Sequence, residues 1–246
     1  MEICRGGGKD YGGPLGKGWT HTYDYELKEV SGNFVNIRRG NAVAAGFTWD
    51  SAQSKWVPVS GNEGYSLVKN GDNSWTLTLP DQGQELFDSS KRLTQIRDSA
   101  GNANDLLYDG SSRLTRVTGS GSQNGNLSWT TVGGQTRVSN YTDPASRQWS
   151  FAYDSNGNVT RITDPDSAIL DYAYDSGQRI TRRSDAHGHT FTSYYDSNGL
   201  ITKATNSLGY DATYQYDSSN QLTRVVDAEG HPADYTYNSS GGRASL

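Results

Sequence analysis

Cysteine, methionine and proline are scarce in this chain, which has one Cys, one Met and six Pro among its 246 residues. A single cysteine, Cys4, excludes an intrachain disulfide and a zinc cage built from cysteines. Because this thiol stands beside Arg5 in a glycine-rich terminus, it is more typical of an incidental residue than of a catalytic one. The redox compartment is left open.

Long apolar segments and runs of positive charge are also lacking. No stretch approaches the ~18 apolar residues that a membrane span needs. The opening residues MEICRGGGKD have no apolar region of the kind that a secretory signal carries, so an exported protein would need a signal outside this chain or another route. The net charge is −5, with both signs interspersed. Without a basic stripe to follow a phosphate backbone, nucleic acid is not an expected partner.

Aliphatic side chains are few, and aromatic ones take their place. Only 33% of residues are hydrophobic, whereas 29 are Gly and 16 are Tyr. Tyrosine rings must therefore supply much of the buried area, because each can bury its ring while its hydroxyl stays paired or wet. No segment has the apolar spacing of an amphipathic helix, and short alternating runs broken by Gly, Asn and Ser predict an all-β protein.

An aromatic residue, usually followed by Asp or Asn, recurs at a constant interval from position 87 onward, as from Tyr174 to Tyr195. The period is broken once, by a longer spacing between Trp129 and Tyr153. The repeat anchors are Phe87, Tyr108, Trp129, Tyr153, Tyr174, Tyr195, Tyr216 and Tyr237. Thr follows seven positions after six of these anchors, at Thr94, Thr115, Thr160, Thr181, Thr202 and Thr223.

Each 21-residue unit predicts two strands and two turns, and hence an antiparallel β-hairpin. We expect residues 1–86 to form a β-rich entry region and residues 87–246 to form a meander of about seven repeats and about fifteen strands. Because sheet twist accumulates, so wide a sheet should curl or spiral into a partial β-shell. The 21-residue period therefore predicts a continuous β-sheet, which would form the wall of such a shell.

A second aromatic often stands two residues before the anchor, which places both rings on one face of the sheet. The resulting double ladder is interpreted first as packing of the wall. The alternative is a platform on which sugars stack, since aromatic faces flanked by Asp and Asn also suit carbohydrate. The residues of this possible glycan platform are Tyr172, Tyr174, Tyr214, Tyr216 and Tyr235.

The repeats YDSNGNVTRITDPDS and YDSSNQLTRVVDAEG resemble the YD repeat of Rhs proteins, the family that includes the shells of insecticidal toxin complexes and of teneurins. The segment GGPLGKGWTHTYDYEL resembles the entry into an Rhs core, so that the resemblance runs from Tyr11 to the C-terminus. It implies a β-shell that spirals around a hollow and usually encloses a C-terminal toxin domain. Family shells are several times longer, and the family's DPxGL-type protease signature and a following toxin domain are missing here.

Catalytic and metal-binding patterns are weak in this sequence. It has no GxSxG elbow and no Cys–His pair with an orienting residue. The segment DAHGHTF brings Asp185, His187 and His189 together, and DAEGHPADY does the same for Asp227, Glu229 and His231. Both sets fall in repeat turns, and a metal site would need three or four ligands converging at ~2.1 Å. The turn interpretation is favoured, and we expect no enzymatic activity and no cofactor.

Three functions are consistent with these patterns. The first is a structural shell segment, secreted or at the cell surface, that encloses or presents another polypeptide. The second is a glycan-binding adhesin that uses the tyrosine ladder. The third is a self-assembling fibre subunit, because unpaired sheet edges can add another copy of the chain.

Overall fold

The computed structural model describes residues 1–5, 12–40, 43–238 and 241–243. Tyr11, where the resemblance begins, and the side chain of Cys4 lie outside the described part. The chain divides into two compact units, Met1–Val159 and Thr160–Leu246. The division expected from the sequence between residues 86 and 87 stays a prediction.

The first unit begins with short strands and continues into a long antiparallel sheet in which β5 to β17 pair in chain order. Two small sheets precede it, β1 with β4 and β2 with β3. The strands are β1 (Ile3–Arg5), β2 (Gly12–Gly13), β3 (Gly16–Lys17), β4 (Trp19–His21), β5 (Glu26–Ser31), β6 (Phe34–Arg38), β7 (Ala44–Asp50), β8 (Lys55–Pro58), β9 (Ser66–Lys69), β10 (Trp75–Thr78), β11 (Gln84–Phe87), β12 (Leu93–Arg97), β13 (Ala103–Tyr108), β14 (Leu114–Thr118), β15 (Asn124–Val132), β16 (Gln135–Thr142) and β17 (Gln148–Tyr153).

The second unit is a plain meander, in which each strand from β18 to β25 pairs antiparallel with the next. Its strands are β18 (Val159–Thr163), β19 (Ile169–Tyr174), β20 (Ile180–Asp185), β21 (Thr190–Tyr195), β22 (Ile201–Asn206), β23 (Asp211–Tyr216), β24 (Leu222–Val226) and β25 (Pro232–Asp234). After β25, Tyr237 makes an isolated antiparallel bridge with Arg243.

The all-β class and the hairpin repeat predicted from the sequence are confirmed. Among the described residues the one helical segment is a short 3₁₀ turn, Ser120–Ser122. The six repeated Thr residues occupy equivalent positions, each being the second residue of its strand. The expectation of about fifteen strands from position 87 onward agrees with β11 to β25.

The longer spacing after Trp129 is explained by a longer hairpin. In other repeats the anchor pairs with the aliphatic residue six positions on, as Tyr108 does with Leu114. Trp129 instead pairs with Val138, nine positions on, and the three additional positions extend β15 and β16 to a turn at Gly133–Gly134. The insertion therefore lengthens one hairpin without disturbing the repeats on either side.

The core of the protein lies in the first unit. Buried residues alternate along its strands, as in β10, where Trp75 and Leu77 are 1% and 0% exposed. The N-terminal segment covers part of this sheet, since Leu15 is fully buried and Pro14 O accepts a 3.0 Å hydrogen bond from Val138 N. The segment approaches so closely that a Cβ on Gly16 would lie 2.5 Å from Gly157 O. A side chain at position 16 would push the segment away from the sheet.

Candidate functional site

The anchor rings tie each hairpin to the one before it. In each case the ring donor bonds the backbone carbonyl fifteen positions earlier, which belongs to the aliphatic residue paired with the previous anchor. Tyr108 Oη donates to Leu93 O at 2.7 Å, and Trp129 Nε1 donates to Leu114 O at 2.9 Å. The anchors with this bond are Tyr108, Trp129, Tyr153, Tyr195, Tyr216 and Tyr237. This bond explains why most anchors carry a ring that can donate.

A β-bulge accompanies the anchors and gives the repeated Thr its role. The register shifts just before the anchor, for example between Leu86 and Phe87, so that one residue of the facing strand has no opposite partner. That residue is Thr94, whose Oγ1 donates to Leu86 O at 3.1 Å. Thr115 and Thr223 make the same bond eight positions back. The hydroxyl thus pairs a carbonyl that the bulge displaces from the ladder.

The Asp of each anchor pair organises a tight turn. At Asp109, Oδ1 accepts the N–H groups of Ser111 and Arg113 at 2.9 and 3.0 Å. The fourth turn residue, Ser112, is left-handed with φ 60°, and its N–H bonds Asp109 O. This is a three-residue hairpin loop with a bulge, a geometry that needs positive φ at one position. These backbone bonds, followed by the Arg113 side chain, lower the pKa of Asp109.

An Arg four positions after several of these Asp residues forms a clamp that the sequence reasoning missed. Arg92 pairs with Asp88 at 2.7 Å and lies over the ring of the next anchor, Tyr108, at 5.2 Å. Arg179 does the same with Asp175, at 2.6 Å, and Tyr195, at 4.7 Å. The spacing D-x-x-x-R in successive repeats was the available signal. Each clamp joins a turn to the neighbouring hairpin.

The residues predicted as a possible glycan platform lie half-buried along β19, β23 and the segment after β25. They are Tyr172, Tyr174, Tyr214, Tyr216 and Tyr235. Tyr216 donates its hydroxyl to Ile201 O at 3.0 Å, and Arg243 lies over Tyr235 at 4.2 Å. Both contacts are typical of wall packing, and sugar binding by these rings stays a prediction.

A buried polar cluster lies in the first unit, in the region before the repeats. The Glu85 carboxylate is fully buried and accepts hydrogen bonds from Tyr25 Oη at 3.0 Å and Arg39 Nε at 2.8 Å. Burial raises the pKa of Glu85, and Arg39 opposes that shift. A separate buried group of the first unit is His21, which is 1% exposed and whose Nδ1 accepts Tyr23 N–H at 3.2 Å. Sequence periodicity could not reveal this cluster, because its members come from distant segments of the chain.

An open groove of about 660 Å³ lies beside β7, β8 and β9. Its floor includes Trp49 and Trp56, whose ring centroids are 5.4 Å apart in an edge-to-face arrangement. Lys55 and Asn70 contribute polar groups to its wall. Trp49 is 37% exposed, so part of its side chain is accessible within the groove.

The two histidine segments form turns, as the sequence predicted. At each, the Asp Oδ1 accepts two turn N–H groups, and its Oδ2 lies near the second histidine. Asp185 Oδ2 is 2.9 Å from His189 Nδ1, and Asp227 Oδ2 is 3.2 Å from His231 Nδ1. The first turn also holds His187, whose ring is 6.0 Å from that of His189. Hydrogen bonding from His189 lowers the pKa of Asp185.

Comparison with known proteins agrees with this geometry. Residues 134–245 match the family model of the teneurin YD-shell. The crystal structure of TcdB2-TccC3-TEV matches at 11% identity with a TM-score of 0.54, over 94% of this chain and 15% of that one. TcdB2-TccC3 without its hypervariable C-terminal region matches at 11% identity with a TM-score of 0.53, over the same shares. No curated protein sequence matches this chain.

The bulged hairpins, ring-to-carbonyl bonds and Asp turns define a β-hairpin repeat protein of the YD type. Residues 134–245, a little under half of the chain, match the YD-shell family model, in agreement with the resemblance of the repeats to the YD repeat of Rhs proteins. The chain spans about 15% of the length of the solved chains named above, and at 11% identity the likeness to them is one of fold. No helix within the described ranges is long and apolar enough to cross a membrane.

Proposed function

We propose that this chain is a non-enzymatic segment of a secreted or cell-surface shell, whose sheet contacts another polypeptide that the shell encloses or presents. The observation that carries the proposal is the ladder face of the second unit, meaning the side of its sheet that carries the aromatic ladder, with Tyr214 and Tyr216 in β23. Its aromatic side chains recur at every hairpin and stay half-buried, as Tyr172 and Tyr214 do. Apolar rings with polar tips are well suited to contact a polypeptide of varied sequence.

The fold likeness supports a structural role, because the matched segments belong to YD-shell proteins. The hydrogen bonding of the anchors adds to this support. Their donors are used between hairpins, as in the 2.8 Å bond from Tyr195 Oη to Ile180 O, so these groups serve the wall itself. Half-buried rings such as Tyr214 are then the parts of that face that a partner can contact.

Site-specific crosslinking tests the proposal. Tyr214 and Gln215 are neighbours in β23, and strand alternation directs them to opposite faces of the sheet. We would replace each in turn with p-benzoylphenylalanine in the producing cell and irradiate. We expect Tyr214→p-benzoylphenylalanine to crosslink a second polypeptide and Gln215→p-benzoylphenylalanine to give at most a trace. Equal crosslinking from both faces would contradict the proposal, and adducts with further copies of this chain alone would favour self-assembly.

A second candidate function, glycan binding, is favoured by the groove at Trp49 and Trp56. The accessible part of the Trp49 ring, beside Asn and Lys side chains, suits the apolar face and hydroxyls of a sugar. A glycan array should then lose signal for Trp49→Ala, whereas Phe191→Ala, which changes a side chain 49% exposed in the second unit, should leave it unchanged. Loss of signal for Tyr214→Ala instead would locate sugar binding on the ladder.

A further inference from the structure

The turn between β20 and β21 holds three potential metal ligands on five consecutive residues. The ligand atoms of Asp185, His187 and His189 all lie within 4.8 Å of one another. In a tetrahedral zinc site, ligand atoms at about 2.1 Å from the ion are about 3.4 Å apart. Small rotations of the side chains would therefore bring the three groups to coordinating positions.

The backbone of this turn is held in place independently of any ion. Asp185 N donates to His189 O at 3.1 Å, and Gly188 N donates to Asp185 O at 3.1 Å. Gly188 has φ 82°, which a glycine adopts without strain. Asp185 Oδ1 accepts the N–H groups of His187 and His189 at 2.9 and 3.0 Å. The backbone of the turn is thus fixed before a ligand binds.

The side chains of this turn are accessible to an ion from solvent. The side chain of His189 is 72% exposed and that of Asp185 is 34% exposed. The two imidazole rings are nearly parallel, with an interplanar angle of 29°. Asp185 Oδ2 is 2.9 Å from His189 Nδ1, close enough for the carboxylate and the imidazole to bind the same ion.

We infer that Asp185, His187 and His189 form a binding site for a divalent transition-metal ion, and Zn²⁺ is the ion that we expect. Two imidazoles and a carboxylate are a donor set that suits zinc, and hard ions such as Mg²⁺ and Ca²⁺ prefer oxygen ligands alone. Three protein ligands leave one position open to water or to a donor from a partner. Because a coordinating imidazole must be neutral, binding should weaken on acidification.

The chain contains its own control in the turn after β24. Asp227 accepts the N–H groups of Glu229 and His231 at 2.9 and 2.8 Å, so the two turns have the same geometry. Glu229 stands where the first turn has His187. This turn has one imidazole and therefore should bind zinc much more weakly.

The experiment is a Zn²⁺ titration of the tag-free chain by isothermal calorimetry, with Cys4→Ser in every variant to remove the thiol. We expect one equivalent of Zn²⁺. His187→Glu, which gives the first turn the side chains of the second, should weaken binding at least tenfold. His231→Ala should leave it unchanged. Circular dichroism confirms that each variant keeps its sheet.

The gain-of-site variant is the sharper test. Glu229→His gives the turn after β24 the donor set of the first turn and should raise the stoichiometry from one equivalent to two. A chain that binds no Zn²⁺, a His187→Glu variant that binds as well as the parent, or a Glu229→His variant without a second equivalent would each overturn the inference. Crosslinking at Tyr214 is independent of these results, so the shell proposal and the zinc site can fail separately.

Discussion

The two units are built from the same hairpin, yet they differ in how much they bury. Of the described apolar side chains that are buried, all lie in the first unit except Ile180 and Ala204. The aliphatic residues paired with the anchors illustrate the difference, because Leu93 and Val138 are 1% and 0% exposed whereas Ile201 and Leu222 are half-buried. The hydrogen bonds of the repeat are nevertheless the same in both units. The repeat therefore specifies a sheet, and a core requires something to cover one face.

In the first unit the cover is supplied in part by the residues before β5. Leu15 and Trp19 are buried, and Tyr25 reaches Glu85 with its hydroxyl and Phe87 with its ring, at a centroid distance of 6.3 Å. No such segment belongs to the second unit among the residues described. The rings on its ladder face stay half-buried, which is the basis of the shell proposal.

The largest expected difference between the units is the cost of removing an aromatic ring. Phe47 is fully buried, so Phe47→Ala should lower the free energy of unfolding by about 4 kcal/mol. Tyr214→Ala, at a half-buried site, should cost about 1 kcal/mol. Urea denaturation, with hydrogen exchange as the readout, measures the free energy of unfolding of each unit separately. Equal costs would show that the second unit has a core of its own.

The second difference is a dependence on pH that belongs to the first unit. Burial lowers the pKa of His21 to about 4, with Asp24 opposing the shift. The unfolded chain takes up a proton near pH 6.5 and the folded chain only near pH 4, so stability is complete above pH 6.5 and falls between these values, by up to about 3 kcal/mol.

His21→Asn, which keeps an acceptor for Tyr23 N–H, should remove this pH dependence. The comparison with the variant is needed because the raised pKa of Glu85 acts in the opposite sense as the pH falls. Thermal melts of the two proteins between pH 7 and pH 4 make the measurement. His231→Asn, at a side chain 72% exposed, is the control. Parallel melting curves for parent and His21→Asn would refute the assignment.

A smaller effect is expected from the anchor hydroxyl. Tyr153→Phe removes a 2.5 Å bond to Val138 O in the first unit and should cost about 1.5 kcal/mol, since it leaves that carbonyl unpaired at a buried site. The same burial raises the pKa of the Tyr153 hydroxyl. Tyr216→Phe should cost about 0.5 kcal/mol, because water can replace the lost partner. Tyr210→Phe, at a ring 55% exposed, should change nothing measurable. A larger cost at Tyr216 than at Tyr153 in urea denaturation would reverse the comparison.

The smallest effect should be the same in both units. Arg92 and Arg179 are 36% and 35% exposed, and each pairs with an Asp of its own turn. Replacing either with Ala should cost about 0.5 kcal/mol, as for exposed ion pairs, and the cost should shrink in high salt. Chemical denaturation at two salt concentrations measures it. A markedly larger loss for Arg92→Ala would show that the clamp depends on the core beneath it.

Much of the repeat could be predicted from the sequence because its determinants are local. The regular period located the anchors, the strands and the turns, and glycines such as Gly188 and Gly230 take the positive φ that these turns need. The hydrogen bond from each anchor to the preceding hairpin was missed, although the preference for Tyr or Trp over Phe was a usable signal. The Arg clamp was missed as well, although the D-x-x-x-R spacing is visible in several repeats.

The sequence by itself determined the hairpin, because strand pairing between neighbours, Asx turns and the bulge Thr all depend on residues close to one another in the chain. Only the tertiary structure decided which face is covered and which polar groups are buried. His21, Arg39 and Glu85 come from segments without a common period, and the proximity of Arg39 to Glu85 follows from the way the N-terminal residues pack on β11. Such long-range packing depends on shape and burial summed over many side chains, and no local pattern records it.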